Sequence, residues 1–165
     1  MNVLEPRTDD LSGLDSGRAL QDLLKVECFG CGALNARGLK IKSRWAGDRL
    51  VCRWTPEAHH IGYPGFVYGG LVASIVDCHA IWTAMAHLCR EQGHELAAGP
   101  PPFAFVTGRL TVNYLKPMRI DTVLDLSAHV VEQGERKSLV ACEVLQNGEV
   151  CATAEVVTVR VKAVA

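Results

Sequence analysis

Gly62-Tyr63-Pro64-Gly65-Phe66-Val67-Tyr68-Gly69-Gly70 runs straight into Leu71-Val72-Ala73-Ser74-Ile75-Val76-Asp77-Cys78-His79-Ala80-Ile81-Trp82-Thr83-Ala84-Met85-Ala86-His87-Leu88. The first part is turn chemistry, because glycine permits positive φ and Pro64 fixes the chain before a helix can start. The second part is apolar on nearly every side, which predicts a buried helix. Asp77 sits in its middle, and burial makes a carboxylate costly unless it is hydrogen-bonded, paired or wet. Asp77 is therefore where chemistry is sought.

Working outward, residues 18–26 place Leu20, Leu23 and Leu24 at helical spacing behind Ser16 as a cap, which predicts a short amphipathic helix. Residues 39–45 and 50–54 are strand-like and joined by Ala46-Gly47-Asp48-Arg49, which predicts a hairpin. Beyond the helix, Gly99-Pro100-Pro101-Pro102 is a stop signal. Four strand-like segments follow, over residues 103–115, 122–131, 137–145 and 150–161, with Asn147-Gly148 as a two-residue hairpin turn. The expected class is α+β: a curved antiparallel sheet of about six strands around one long helix. The division expected is an extension over residues 1–27 and a single domain over 28–165.

The chain has 165 residues, enough for a real core, and a net charge of −1 gives no overall field toward nucleic acid or an anionic membrane. The N-terminal residues lack a basic-then-apolar signal pattern, and the apolar helix carries Asp77, His79 and His87, so no membrane span is expected. Seven cysteines, an odd number, point to reduced thiols and a cytoplasmic location. No P-loop, dinucleotide glycine fingerprint, His-Glu-x-x-His or nucleophile elbow is present.

Three motifs together resemble the PaaI-like acyl-CoA thioesterases of the hotdog superfamily. Tyr68-Gly69-Gly70 followed by Asp77 is similar to the family's His-Gly-Gly with an acidic residue on the helix. Thr107-Gly108-Arg109-Leu110-Thr111-Val112-Asn113-Tyr114-Leu115-Lys116-Pro117 resembles its central strand, and Cys28-Phe29-Gly30-Cys31-Gly32 with Asn35 and Gly38-Leu39 resembles the lead-in of one branch. Tyr68 stands where the family usually has histidine, and Gly62 where some members carry Asn or Gln.

The resemblance implies a hotdog fold and hydrolysis of an acyl-CoA thioester without a cofactor. It implies that the Gly69 amide polarises the carbonyl, that Asp77 acts as general base or nucleophile, and that Thr107 holds water or supports Asp77. A helix N-terminus suits the first role, since its unpaired N–H groups favour a developing oxyanion. Gly69 and Asp77 lie eight residues apart. On one helix at about 1.5 Å per residue that is roughly 12 Å, so one carbonyl meets both only if they come from two chains. A homo-oligomer, a dimer or dimer of dimers, is therefore expected. Tyr68, Gly70, His60, Asn113 and Lys116 are the expected substrate contacts, with Arg119, Arg136 and Lys137 as further candidates for the CoA phosphates.

Other readings stay open from the sequence. Asp77 also suits a structural acid bonded to backbone or His79, and the glycine pair a plain tight turn. A non-catalytic acyl-ligand module or a dehydratase fits the same fold. Cys28-x-x-Cys31 is half of a zinc knuckle, but a structural site takes four ligands and no second Cys-x-x-Cys exists, so completion needs His59, His60 or another chain and no metal is assigned.

Overall fold

The computed structural model describes residues 17–163. Its central element is a 23-residue helix, α1 (Gly69–Glu91). Around it run β1 (Ser43–Ala46), β2 (Arg49–Trp54), β3 (Phe103–Tyr114), β4 (Leu124–Gln133), β5 (Lys137–Gln146) and β6 (Glu149–Lys162). They form one antiparallel sheet in the order β1-β2-β4-β5-β6-β3, which leaves β1 and β3 as its edges. This is the hotdog architecture expected from the sequence.

The core lies between the helix and the concave face of the sheet. Val72, Ile75, Val76, Ala80 and Ala84 of α1 are fully buried, as are Leu124, Leu126, Val140, Val144 and Val156 of the sheet. Burying a branched aliphatic side chain contributes about 1.5–3 kcal/mol, so this interface dominates the stability. α1 is long and apolar enough to cross a membrane by length and composition, but most of it is covered here by protein. The covering is incomplete: Gly70, Ala73, Ser74, Asp77 and Ile81 form a partly exposed strip at helical spacing. The sheet wraps less of the helix than the apolar pattern implies.

Two turns follow their residues. Asn147 and Gly148 have φ of 53° and 78°, the paired positive φ of a hairpin turn that matches strand twist. Gly108 produces a bulge in the β3–β6 ladder, where the register shifts between Thr107 and Arg109.

The N-terminal segment differs from expectation. Within residues 18–26 the helical part is one 3-10 turn, Leu20–Asp22, with no side-chain cap, and Ser16 lies outside the described residues. A helix this short is marginal alone, and a tertiary contact decides its form. Gln21 is driven fully into the core beside the buried Leu20, while Leu23 and Leu24 are only partly buried against it. Gln21 accepts the Ser43 N–H at 2.7 Å and donates to Ser43 Oγ at 2.9 Å. Ser43 Oγ in turn donates to His79 Nδ1 at 2.8 Å, and His79 Nε2–H donates to the Leu50 carbonyl at 3.1 Å. Every member of this buried chain is satisfied, and burial lowers the His79 pKa to about 4. β1 also starts later than residue 39. Leu39 and Ile41 give their N–H groups to Phe29 O and Gly30 O at 2.8 and 3.0 Å, so that stretch pairs with the cysteine loop.

Candidate active site

Asp77 projects from the uncovered strip of α1, half-buried, and accepts a hydrogen bond from Thr107 Oγ1 of β3. The alternative partner His79 points the other way, into the Ser43 network. A cavity of about 350 Å³ opens beside Asp77, lined also by Cys28, Phe29, Ser74, Cys78 and Leu110. The bulge explains this placement. Thr107 pairs with Thr158 on the core face of β6, and after Gly108 the parity reverses, so Leu110, Val112 and Tyr114 face α1 instead of Arg109, Thr111 and Asn113. A Cβ at Gly108 would meet the Val159 side chain at 2.9 Å, so glycine is what lets the strand close there.

The same reversal corrects the expectation for Asn113. Strict alternation from Thr107 puts Asn113 on the site face, whereas it pairs with Thr153 on the outer face and is exposed. The neighbouring Tyr114 points inward and donates from its hydroxyl to the Gly69 carbonyl at 2.6 Å. Glycine within a strand run is a bulge signal, and read that way it identifies Tyr114 from sequence.

The helix start forms a second cluster. Tyr68 is the extended N-cap (φ −61°, ψ 125°) and no side chain caps the helix. The first-turn N–H groups of Gly69 and Gly70 have no acceptor within the helix and are held by the helix dipole as anion-favouring donors. The Tyr68 ring lies against Gly70, where a Cβ would meet its ring carbons at 2.6 and 2.9 Å. Burial, followed by the Tyr68 phenol, raises the Tyr114 pKa. A cavity of about 240 Å³ adjoins Gly69, lined also by Phe66, Tyr114, Leu115, Lys116 and Met118. Both clusters share one helix, so about 12 Å of α1 separates them at about 1.5 Å per residue.

The remaining expected contacts fall as follows. Lys116 lines the Gly69 cavity and pairs with Glu149. The His60 ring turns away, accepting the Glu57 N–H at 2.9 Å and stacking on Trp54 at 5.1 Å, while its backbone carbonyl accepts the Tyr68 N–H at 2.9 Å. The basic residues do not gather into one phosphate patch. Lys116 and Arg119 lie where β5 ends, Arg119 paired with Asp121, and Arg136 and Lys137 lie where β5 begins.

Beside Asp77 the structure adds to the Cys28-x-x-Cys31 pair a third thiol, Cys78, that sequence reasoning missed. The sulfurs of Cys28, Cys31 and Cys78 all lie within 4.8 Å of one another. Cys31 is lowered to about 6, chiefly by a hydrogen bond from Cys78 working against burial, with Trp82 and Cys28 assisting. Cys78 is raised, as donor to Cys31 and by burial. His59 and His60 take no part in this group, and Cys78 comes from the same chain, 47 residues beyond Cys31.

Comparison with known proteins places this geometry. A model of the thioesterase superfamily matches residues 64–153. Acyl-coenzyme A thioesterase 13 of Mus musculus is 30% identical over 90 residues, covering 54% of this chain and 56% of that protein. Acyl-coenzyme A thioesterase THEM4 of Rattus norvegicus is 27% identical over 107 residues, covering 63% of this chain and 39% of its own. The chain thus spans about half the length of such curated relatives, 56% and 39% in these two. Among solved structures, a thioesterase superfamily protein from Shewanella loihica PV-4 has TM-score 0.59 and 34% identity, covering 72% of this chain and 89% of that one. The E. coli PaaI protein from the phenylacetic acid degradation operon has TM-score 0.62 at 17% identity, with 76% and 82% covered, a likeness of fold alone.

Proposed function

The chain belongs to the thioesterase superfamily, and on that premise we propose that it hydrolyses acyl-CoA thioesters at a site completed by a second copy of the chain. The observation that carries this reading is the division of the chemistry along α1. The carboxylate with its hydroxyl partner lies beside one cavity and the unpaired helix-start amides beside another. An antiparallel partner helix brings the Asp77 end of one copy to the Gly69 end of the other. The uncovered strip of α1 and the exposed Val106 and Tyr114 of edge strand β3 are the surfaces available to that partner.

At the assembled site the Gly69 N–H donates to the thioester oxygen and strengthens as charge develops there. Asp77 of the facing chain takes a proton from water, and the Thr107 hydroxyl holds the carboxylate in place. Attack gives a tetrahedral oxyanion, whose collapse expels CoA thiolate and leaves the free acid. Lys116, which lines the Gly69 cavity, is the proposed contact for a CoA phosphate. The described cysteines are all free thiols, which suits a reducing compartment, and the cytoplasm is our proposal for where the protein works.

The test is release of free thiol from short, medium, long and aromatic acyl-CoAs, run on the native protein and on Asp77→Asn. Turnover that collapses in the near-isosteric variant supports the reading and identifies the acyl class. Saturable binding without turnover overturns it in favour of a binding protein.

A further inference from the structure

The Cys28, Cys31 and Cys78 thiols have no role in the reaction above, and Cys28 and Cys31 precede the matched superfamily region, which begins at residue 64. We propose that these three residues bind one Zn²⁺ ion as thiolates, with its fourth position open to the cavity that Asp77 also lines.

The geometry suits the ion. Two sulfurs bound to one tetrahedral zinc at about 2.3 Å stand about 3.8 Å apart. Cys28 Sγ and Cys78 Sγ are 3.7 Å apart, and Cys31 Sγ is within 4.8 Å of both. A set made only of sulfur suits a soft ion and disfavours Mg²⁺ and Ca²⁺, which take oxygen.

The loop is shaped around this convergence. The Gly32 N–H donates to Cys28 O at 2.8 Å and closes the Cys-x-x-Cys turn. A Cβ on Gly32 would come within 2.5 Å of the Cys28 backbone, and a Cβ on Gly30 would overlap the Cys78 sulfur at 2.1 Å. Two glycines are therefore what allow the loop to press its sulfurs onto the one from α1. Trp82 Nε1–H donates to Cys31 Sγ at 3.1 Å, an outer bond of the kind that orients a ligating thiolate. The Lys40 ammonium lies 3.4 Å from the Gly32 and Ala33 carbonyls and ties the end of the loop down. Access is provided by Cys28, which is exposed, and by the adjoining cavity of about 350 Å³ that Cys28, Asp77 and Cys78 line together. Binding releases the thiol protons to solvent, and no redox change is involved.

The experiment uses the full chain, reduced, stripped of metal and titrated with Zn²⁺ against a chromophoric chelator, then with Co²⁺. The expected result is about one Zn²⁺ per chain. Co²⁺ should show the intense visible bands of a tetrahedral site and sulfur-to-cobalt charge transfer of an intensity matching three thiolates. Cys28→Ser, Cys31→Ser and Cys78→Ser should each weaken Zn²⁺ binding at least tenfold, and Cys151→Ala should leave it unchanged. Cys28→Ser lies on an exposed loop residue and keeps the test decisive if a core variant fails to fold. Absence of stoichiometric Zn²⁺, Zn²⁺ that survives Cys28→Ser, or a Co²⁺ spectrum without thiolate charge transfer overturns the proposal. So does a disulfide between two of the three thiols in protein that takes up no metal after reduction.

Discussion

Gly69→Pro deletes one hydrogen-bond donor with little disturbance to the fold, and this makes the two-chain site testable. Gly69 is the first residue of α1, its N–H has no intrahelical acceptor, and proline is well accommodated at that position. Tyr68 before it is already extended at ψ 125°, as a residue preceding proline prefers. Losing one oxyanion donor costs about 10²–10³ in kcat, and losing the Asp77 base by Asp77→Asn about 10²–10⁴. Both parents should therefore be nearly inactive. In an equal mixture with random exchange, half of the dimers are mixed and each carries one intact site of two, so activity returns to about a quarter of native. Co-refolded, differently tagged chains assayed by thiol release provide the measurement. Gly69→Ala serves as control, since it retains the N–H and its Cβ would sit 3.7 Å from the Tyr114 ring, an ordinary contact. Activity of the mixture no higher than that of either parent refutes the two-chain site.

Thr107→Val should lower kcat about 10–100-fold, the worth of about 1.5–3 kcal/mol for a hydrogen bond to a charged group, while Thr107→Ser retains most activity; equal losses in the two would show that the hydroxyl is idle. Gly70→Ala should leave the unfolding free energy from urea titration within about 0.5 kcal/mol of native because the flexible Tyr68 ring can swing aside, yet raise KM, and an unchanged KM would remove Tyr68 from substrate contact. His79 gives a signed pH dependence. Its folded pKa, about 4, lies below its ordinary 6.5, so the unfolded chain takes up a proton first. That contribution is intact above about pH 6.5 and is lost as pH falls toward 4, a change of about 3 kcal/mol that urea titrations at several pH values should show, with a smaller slope in His79→Gln.

The long helix, the strands and the Asn147-Gly148 turn were legible because each is written in local periodicity. Asp77 was legible for the opposite reason, as a carboxylate that breaks its own apolar run. What the sequence hides is set by pairing across the fold. Asn113 and Tyr114 are adjacent, and only the shift at Gly108 decides which of them faces α1. Cys78 looks like one more small apolar residue of a buried helix until the loop carrying Cys28 and Cys31 folds onto it. Gln21 joins Leu20 in the core because its amide bonds the hydroxyl and the backbone N–H of Ser43, a contact 22 residues away. Lys116, Arg119, Arg136 and Lys137 were legible only as basic residues near strand ends, and the fold divides them between the two ends of β5.

Tyr68 in place of the histidine usual in the resembled family, and Gly62 in place of Asn or Gln, are two parts of one arrangement. A Cβ at Gly62 would stand 2.9 Å from the Tyr68 Cα, a backbone atom that cannot step aside, and a Cβ at Gly70 would stand 2.6 Å from the Tyr68 ring. The Ile61–Val67 bridge and the Gly62 N–H to Phe66 O bond of 2.9 Å hold the turn closed against that backbone. With glycine on both sides, the phenol lies over the first turn of α1, while Tyr114 grips the Gly69 carbonyl from β3. A side chain at residue 62 has no room to position water here, so in the proposed reaction that task falls to Asp77 and Thr107 of the facing chain. No histidine is among the described residues lining either cavity, so a pH–rate profile for kcat with an inflection near histidine's usual 6.5 would contradict Asp77 as the base.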